Sequence, residues 1–402
     1  MTQQILIAGS GFAGTWAALA AARAVALANR ESEVGITVIS PAPEMHIRPR
    51  LYETAFDDMA PDVGALFTAV GVAHLAGKVD AIDAARRSVT VKANDGNVHT
   101  LTYDRLVLAA GSRLFMPPVP GLAEHAFNVD QLATARALHA HMTGLAGRPA
   151  SAARNTVVVA GGGFTGIETA CEMPQRLRDI LGAEAKVRVV LLEQAANVGP
   201  DLGPVPRPVI EEALAECGVE VITGDGAAAV DASGVTTASG LRIESNTVIW
   251  TAGARAHPLA AQIAGEHDRL GRVVADEFLH APGAPGVFVT GDVAHAATDD
   301  VGNVAVMSCQ HALSLGRVAG YNAAAELVGL PLHPYSQPKY VTCLDLGPWG
   351  AIFTEGWDRQ VQLTRDTAKN VKREINTKWI YPPAPDRAAA FAVANPDYVI
   401  VP

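Results

Sequence analysis

No run of apolar residues in this 402-residue chain approaches the ~18 needed to span a bilayer. The nearest, Thr15 to Ala28, is broken by Arg23 and reads as an Ala-rich helix. The first strand is expected at Ile5–Ala8, which leaves no room for a secretory leader, so a cytoplasmic location is expected. Positive charge is also short: 31 Lys and Arg against 41 Asp and Glu leave a formal charge of −10. Without a global positive field, nucleic acid is not an expected partner. Cysteines are few and scattered, at 171, 217, 309 and 343, with no C-x-x-C among them. Neither a dithiol relay nor a zinc site is therefore indicated, and the thiols are expected to act as small buried hydrophobes. Low-complexity tracts are absent. An apolar share of 49% with 18% charge describes a globular chain, long enough for two or three domains.

Glycine is what the chain has, in two matched places. Gly9-Ser10-Gly11-Phe12-Ala13-Gly14 follows the apolar run Ile5–Ala8, and Gly161-Gly162-Gly163-Phe164-Thr165-Gly166 follows Val157–Ala160. In each the glycines permit a tight turn, close approach to a pyrophosphate and close helix–strand contact. The helix that follows offers unpaired N–H groups and a positive dipole end. Two such motifs imply two dinucleotides on one protein, an electron-transfer arrangement.

The rest of the chain is organised around them. Strand, helix and strand are expected at Ile5–Ala8, about 11–29 and Gly35–Ser40, and again at Thr156–Ala160, about 163–181 and Val187–Glu193. Pro174 is expected to kink or shorten the second helix. A strand-rich stretch covers about 72–110, and Met116–Gly121 reads as a stiff hinge. Val248–Gly253 and Val287–Asp292 are strands ending in glycine turns, and a helix is expected from about 304 to 328. Residues 331–402 differ in composition, with Pro, aromatics and the basic stretch Lys369–Lys378.

Glu193, ending the second strand of the second fold, is placed to accept from a ribose 2′-OH and to repel a 2′-phosphate, which favours NADH over NADPH. The equivalent position of the first fold is Ser40, a weaker ribose partner, with His46, Arg48 or Arg50 available to supplement it. Asp292 after Gly291 resembles the aspartate that holds a flavin ribityl chain. The helix that follows would aim its dipole at the reduced ring.

The segments ILIAGSGFAG, LVLAAGSR, VVVAGGGFTGIE, VIWTAGA and VFVTGD occur in the order of flavoproteins with two dinucleotide-binding domains. Within that superfamily, also called pyridine nucleotide–disulfide oxidoreductases, the chain resembles type II NADH dehydrogenases and apoptosis-inducing-factor-like oxidoreductases over about residues 3–383. Arg48–Glu53, Cys309-Gln310-His311-Ala312 and Ile380–Pro383 support the likeness. The resemblance implies an α/β fold: two Rossmann-like domains, the NADH domain (116–255) inserted into a discontinuous FAD domain (1–115 and 256–330), and a C-terminal α+β cap (331–402). It implies FAD held by Gly9, Gly11, Phe12, Ala13, Gly14, Ser40, Arg48, Val79, Gly111, Gly291 and Asp292. It implies NADH held by Gly161, Gly163, Gly166, Glu193 and Gly253.

The expected activity is hydride transfer from NADH to FAD, then two electrons to a quinone or similar small acceptor, with the protein positioning the cofactors. Glu168 matches the family acid near the nicotinamide–flavin contact, or is a first-turn acid favoured by the helix dipole; Glu172 is a weaker candidate. Gln310 and His311 match the segment where a quinone ring approaches, either bonding a carbonyl, passing a proton, or packing the helix start. Without a cysteine pair, disulfide and sulfide–quinone reductase chemistry is not expected. Ala368, Val371, Ile375 and Trp379 share a helical side with Lys369, Lys372, Arg373 and Lys378 around it. Residues 368–381 thus read as a peripheral membrane contact on the inner face, or as a helix packed on its own domain. A homodimer is compatible with the sequence. The alternatives are a soluble NAD(P)H oxidoreductase serving a redox protein or specialised metabolite, and an NADH-sensing regulatory flavoprotein.

Overall fold

The computed structural model describes residues 2–400. Its first sheet has seven strands, in the order Val287–Val289, Arg105–Leu108, Gln3–Ala8, Val34–Ser40, Ala73–Asp83, Ser88–Ala93 and Val98–Thr102. The first five run parallel and the last two close an antiparallel meander. Register matters more than count. Ala8 lies opposite Leu108, and Leu108 opposite Val289, so three strands end level. Gly9, Ala109–Gly111 and Thr290–Asp292 therefore emerge along one carboxyl edge, where open α/β sheets bind ligands.

The second sheet is all parallel, in the order Val219–Thr223, Arg188–Glu193, Thr156–Ala160, Thr247–Trp250 and Ala126–Phe127. In sequence it falls between two neighbouring strands of the first sheet, 105–108 and 287–289. Ala160 pairs with both Leu192 and Trp250, so Gly161, Glu193 and Thr251–Gly253 share a second carboxyl edge. Its core strands are nearly continuous Val, Ile and Leu, as burial on both faces requires.

Two long helices explain the Ala and Gly content. Phe12–Leu27 is buried along most of its length, and Cys309–Val328 lies across it. A Cβ on Gly316 would come 2.4 Å from the Ala13 carbonyl oxygen, and one on Gly320 would come 2.0 Å from that of Ala17. Only glycine allows backbones this close. The contact ties the start of the 309–328 helix to the first fingerprint.

The helix after the second fingerprint runs unbroken from Phe164 to Leu181 through Pro174, where shortening was expected. Burial of Ile167, Ala170, Cys171, Met173 and Leu177 outweighs the hydrogen bond that proline removes. The 309–328 helix starts five residues later than expected. Ser308 caps it, its hydroxyl oxygen accepting from the His311 N–H at 3.3 Å, a favoured cap chemistry. The C-terminal unit is a three-stranded antiparallel sheet, Val341–Asp345, Ala351–Glu355 and Gln360–Thr364. The helix Arg365–Glu374 follows, then a wide turn, Ile375–Trp379, and the helix Arg387–Val393.

Candidate nucleotide and electron-transfer site

Both fingerprints show the same division of labour among their glycines. Gly9 has φ +119° and Gly161 φ +117°, values that strain any other residue. A Cβ on Gly14 would lie 1.9 Å from the Gly9 oxygen, and one on Gly166 would lie 1.7 Å from the Gly161 oxygen. The middle glycines differ. A Cβ on Gly11 or Gly163 would meet nothing within 4 Å, so these two face open space at a helix N-terminus. That is the cradle a pyrophosphate fits. Phe12 and Ala13 open the first helix, and Gly111 (φ +69°) likewise faces open space.

Asp292 sits at the edge of the first sheet, its carboxylate accepting from the Ser112 hydroxyl at 2.6 Å with Arg48 at 3.6 Å. Burial pushes its carboxyl up, while Arg48 and Ser112 hold it down. Arg48 also donates to the Asp130 carbonyl at 3.1 Å and pairs with the Asp130 carboxylate, so the expected Arg48 and Asp292 are joined by Ser112 and Asp130. Ser112 lies in the segment LVLAAGSR without having been singled out, and Asp130 carried no sequence signal. Ser40 is buried, with its hydroxyl donating to the Ala42 carbonyl at 2.6 Å and 2.9 Å from His74 Nε2. Val79 lies at a bulge, where pairing with the next strand shifts register before Ala81.

In the second fold Glu193 Oε2 accepts from the Gly162 N–H at 2.6 Å, and Oε1 from the Ala195 N–H at 2.7 Å. The carboxylate is thereby clamped to the fingerprint turn. Thr251 was missed by sequence reading, yet its hydroxyl lies 2.9 Å from the Gly161 carbonyl and fixes that turn. Gly253 is left-handed (φ +84°), and its carbonyl accepts from the Phe115 N–H at 2.6 Å.

Glu168 is not a solvent-facing first-turn acid. Its Oε1 accepts from Lys372 Nζ at 2.7 Å and from the Asp345 N–H at 3.1 Å, and both side chains of the pair are under a tenth exposed. Burial pushes the Glu168 carboxyl up against the opposing pull of Lys372. Lys372 was expected on a basic outer face and is instead inside. The 365–374 helix turns Ala368 and Lys372 inward, and Ala368 and Val371 pack on Phe353 and Leu363. Protein thus covers much of the stripe that was read either as a lipid contact or as the face of a helix packed on its own domain. Beside Lys372 opens a polar cleft of about 420 Å³, lined by Arg50, Tyr52, Glu172, Arg176, Lys369 and Asn376 among others. Burial raises the Glu172 carboxyl there too.

Cys309 and Gln310 begin the long helix. Burial pushes the Cys309 thiol up to about 11, and it feels the charges of both Lys372 and Asp292. The helix start packs on the Gly291 turn, where a Cβ would lie 3.7 Å from that of Ala312. His311 is fully buried, 5.2 Å from the Tyr340 ring, with Nδ1 on the Ser308 hydroxyl at 3.0 Å. Burial drops its pKa to about 4, so at neutral pH it is uncharged. Its ring packs the helix start against Tyr340.

The fold also brings together two thiols that sequence distance kept apart. Cys171 and Cys217 are each other's strongest perturbing neighbour, Cys217 falling to about 7 while Cys171 is raised. Cys217 Sγ also lies 3.4 Å from the Leu346 carbonyl of the cap.

Two glycine cradles, each at the carboxyl end of parallel strands in its own sheet, define an oxidoreductase with two dinucleotide sites. The chain belongs to the pyridine nucleotide-disulphide oxidoreductase family, whose model matches residues 3–316. It is an NAD(P)H oxidoreductase with FAD and NADH as its cofactors. It is 46% identical over 397 residues to the NADH dehydrogenase-like protein Rv1812c of Mycobacterium tuberculosis, covering 98% of each chain. It is 32% identical over 318 residues to the type II NADH:quinone oxidoreductase NdhA of the same organism, covering 72% of this chain and 66% of that one. In fold it is similar to NDH2 from Plasmodium falciparum solved with NADH, with a TM-score of 0.77, 14% identity and 98% of each chain covered. No helix among the described residues is long and apolar enough to cross a membrane.

Proposed function

We propose that this protein oxidises NADH and delivers two electrons to a quinone or similar small acceptor, with no thiol in the electron path. One observation carries the reading. The start of the 309–328 helix packs against the Gly291–Asp292 turn of the first fold, where a Cβ on Gly291 would lie 3.7 Å from that of Ala312. Gln310 is therefore the residue we assign to the acceptor. On this reading residues 1–115 and 256–330 hold FAD, 116–255 hold NADH, and 331–402 complete the acceptor side.

Bound FAD supplies a two-electron carrier between donor and acceptor. The chain's own task is placement. Gly11 and Gly163 leave room for the two pyrophosphates, Asp292 orients the ribityl hydroxyls, and Glu193 takes the NADH ribose. Converting NADH and a quinone to NAD⁺ and a quinol consumes one proton from solvent. We assign that proton to the Glu168 carboxylate, held by Lys372 at the edge of the polar cleft.

The test is acceptor profiling of purified, FAD-loaded protein, with and without lipid vesicles. Rapid NADH:quinone turnover is expected. Slow reoxidation by every quinone tested would overturn the assignment, and a long-lived reduced complex would favour a sensing role. Stimulation by anionic vesicles would support a peripheral membrane contact through the exposed residues of 368–381.

A further inference from the structure

The hairpin between strands 351–355 and 360–364 carries Trp357, Asp358 and Arg359. Arg359 has φ +55°, a left-handed conformation uncommon for a residue with a side chain. Its guanidinium carbon lies 5.5 Å from the Tyr340 ring centre and 6.0 Å from that of Phe164. Tyr340 in turn stacks on Trp357 at 4.6 Å. Phe164 is the first residue of the helix after Gly163, the glycine that faces open space. The cap thus reaches the second fingerprint through one arginine, seated on an aromatic shelf.

That arginine lacks an anionic partner. Arg359 Nε is buried without a hydrogen bond, as are Trp357 Nε1 and His311 Nε2 in the same contact group. Arg359 is also in none of the ion pairs within 4.0 Å among the described residues. A half-buried guanidinium with no anion is costly to keep, and its planar fork suits phosphate oxygens. The helix start beneath it is where a phosphate is expected.

We propose that Arg359 binds the pyrophosphate of the dinucleotide cradled by Gly161–Gly166, so that a residue of the cap completes the nucleotide site of the inserted fold. This rests on reading the second fingerprint as the NADH cradle. Nucleotide binding then bridges two units of the protein, and the aromatic shelf serves to hold the guanidinium over Phe164.

The experiment titrates FAD-loaded protein with ADP-ribose, which keeps the pyrophosphate, and with AMP, which does not, by calorimetry. Arg359→Gly suits the test, because glycine favours the left-handed φ; Arg359→Lys keeps the charge. Arg359→Gly is expected to weaken ADP-ribose about tenfold or more, the usual loss for a charge-assisted bond, with AMP unchanged and Arg359→Lys in between. ADP-ribose binding as tight as wild type, or an equal loss for AMP, would overturn the assignment of Arg359 alone. Failure of the wild type to bind ADP-ribose would overturn the NADH reading of the second fold, and this proposal with it. Flavin absorbance and melting temperature of each variant show whether the variant is folded and loaded.

Discussion

Replacing Lys372 by methionine keeps the aliphatic stem and removes one half of the buried Glu168–Lys372 pair. Both side chains are under a tenth exposed, and breaking such a pair costs about 3–5 kcal/mol, because one charge is left without compensation. The loss should depend on pH in a defined sense. In the wild type, burial raises the Glu168 carboxyl while Lys372 pulls it down. In Lys372→Met the pull is gone and the negative charge of Asp345 remains, so the carboxyl rises further. A carboxyl raised in the folded state is most favourable to folding below its unfolded value. That contribution is lost as pH climbs through the folded value. Denaturant unfolding of FAD-loaded wild type and variant at pH 5 and pH 8 measures this. The deficit should be largest at pH 8 and shrink at pH 5 by more than about 1.4 kcal/mol, the equivalent of a tenfold change in proton affinity. Adding Glu168→Gln should restore most of the loss at pH 8, since the amide oxygen can still accept from the Asp345 N–H. A deficit equal at both pH values, or no recovery in the double variant, would refute the reasoning.

The ribose assignment predicts that Glu193→Ala lowers the NADH-over-NADPH ratio of kcat/KM by about tenfold or more, the value of a lost charge-assisted bond; an unchanged ratio removes Glu193 from the site. The two classes of glycine should separate cleanly. Gly320→Ala forces a methyl against the Ala17 carbonyl, where the gap is 2.0 Å, and should cost about 1–3 kcal/mol by overpacking. Gly11→Val projects into open space, so it should leave apoprotein melting unchanged while FAD retention on a desalting column falls. Because hydride passes directly on this reading, the Cys171→Ser/Cys217→Ser double variant should keep the wild-type kcat for NADH oxidation. A tenfold loss in a well-folded double variant would put the thiol pair in the electron path.

Local chemistry made the two cradles legible before any coordinates. A strand, three glycines at fixed offsets and a helix must lie together in sequence, so Gly9–Gly14, Gly161–Gly166 and the strand-end Glu193 could be read directly. Helix limits were less legible, because Ser308 and the packing around Pro174 decide them through contacts that periodicity does not register. Least legible were groups joined only by the tertiary fold. Lys372 fell on the outer side of a basic helix by spacing alone, but its partner Glu168 is 204 residues away, and only docking of the cap turns that side inward. The same applies to Cys171 and Cys217, which share no motif and meet because the helices Phe164–Leu181 and Arg207–Cys217 pack together. It applies also to Arg359, whose neighbour Phe164 belongs to another unit. Each of these three depends on the cap or on helix packing rather than on the fingerprints. Electron delivery and its control should therefore respond to substitutions at 168, 359 and 372 that leave both glycine motifs intact.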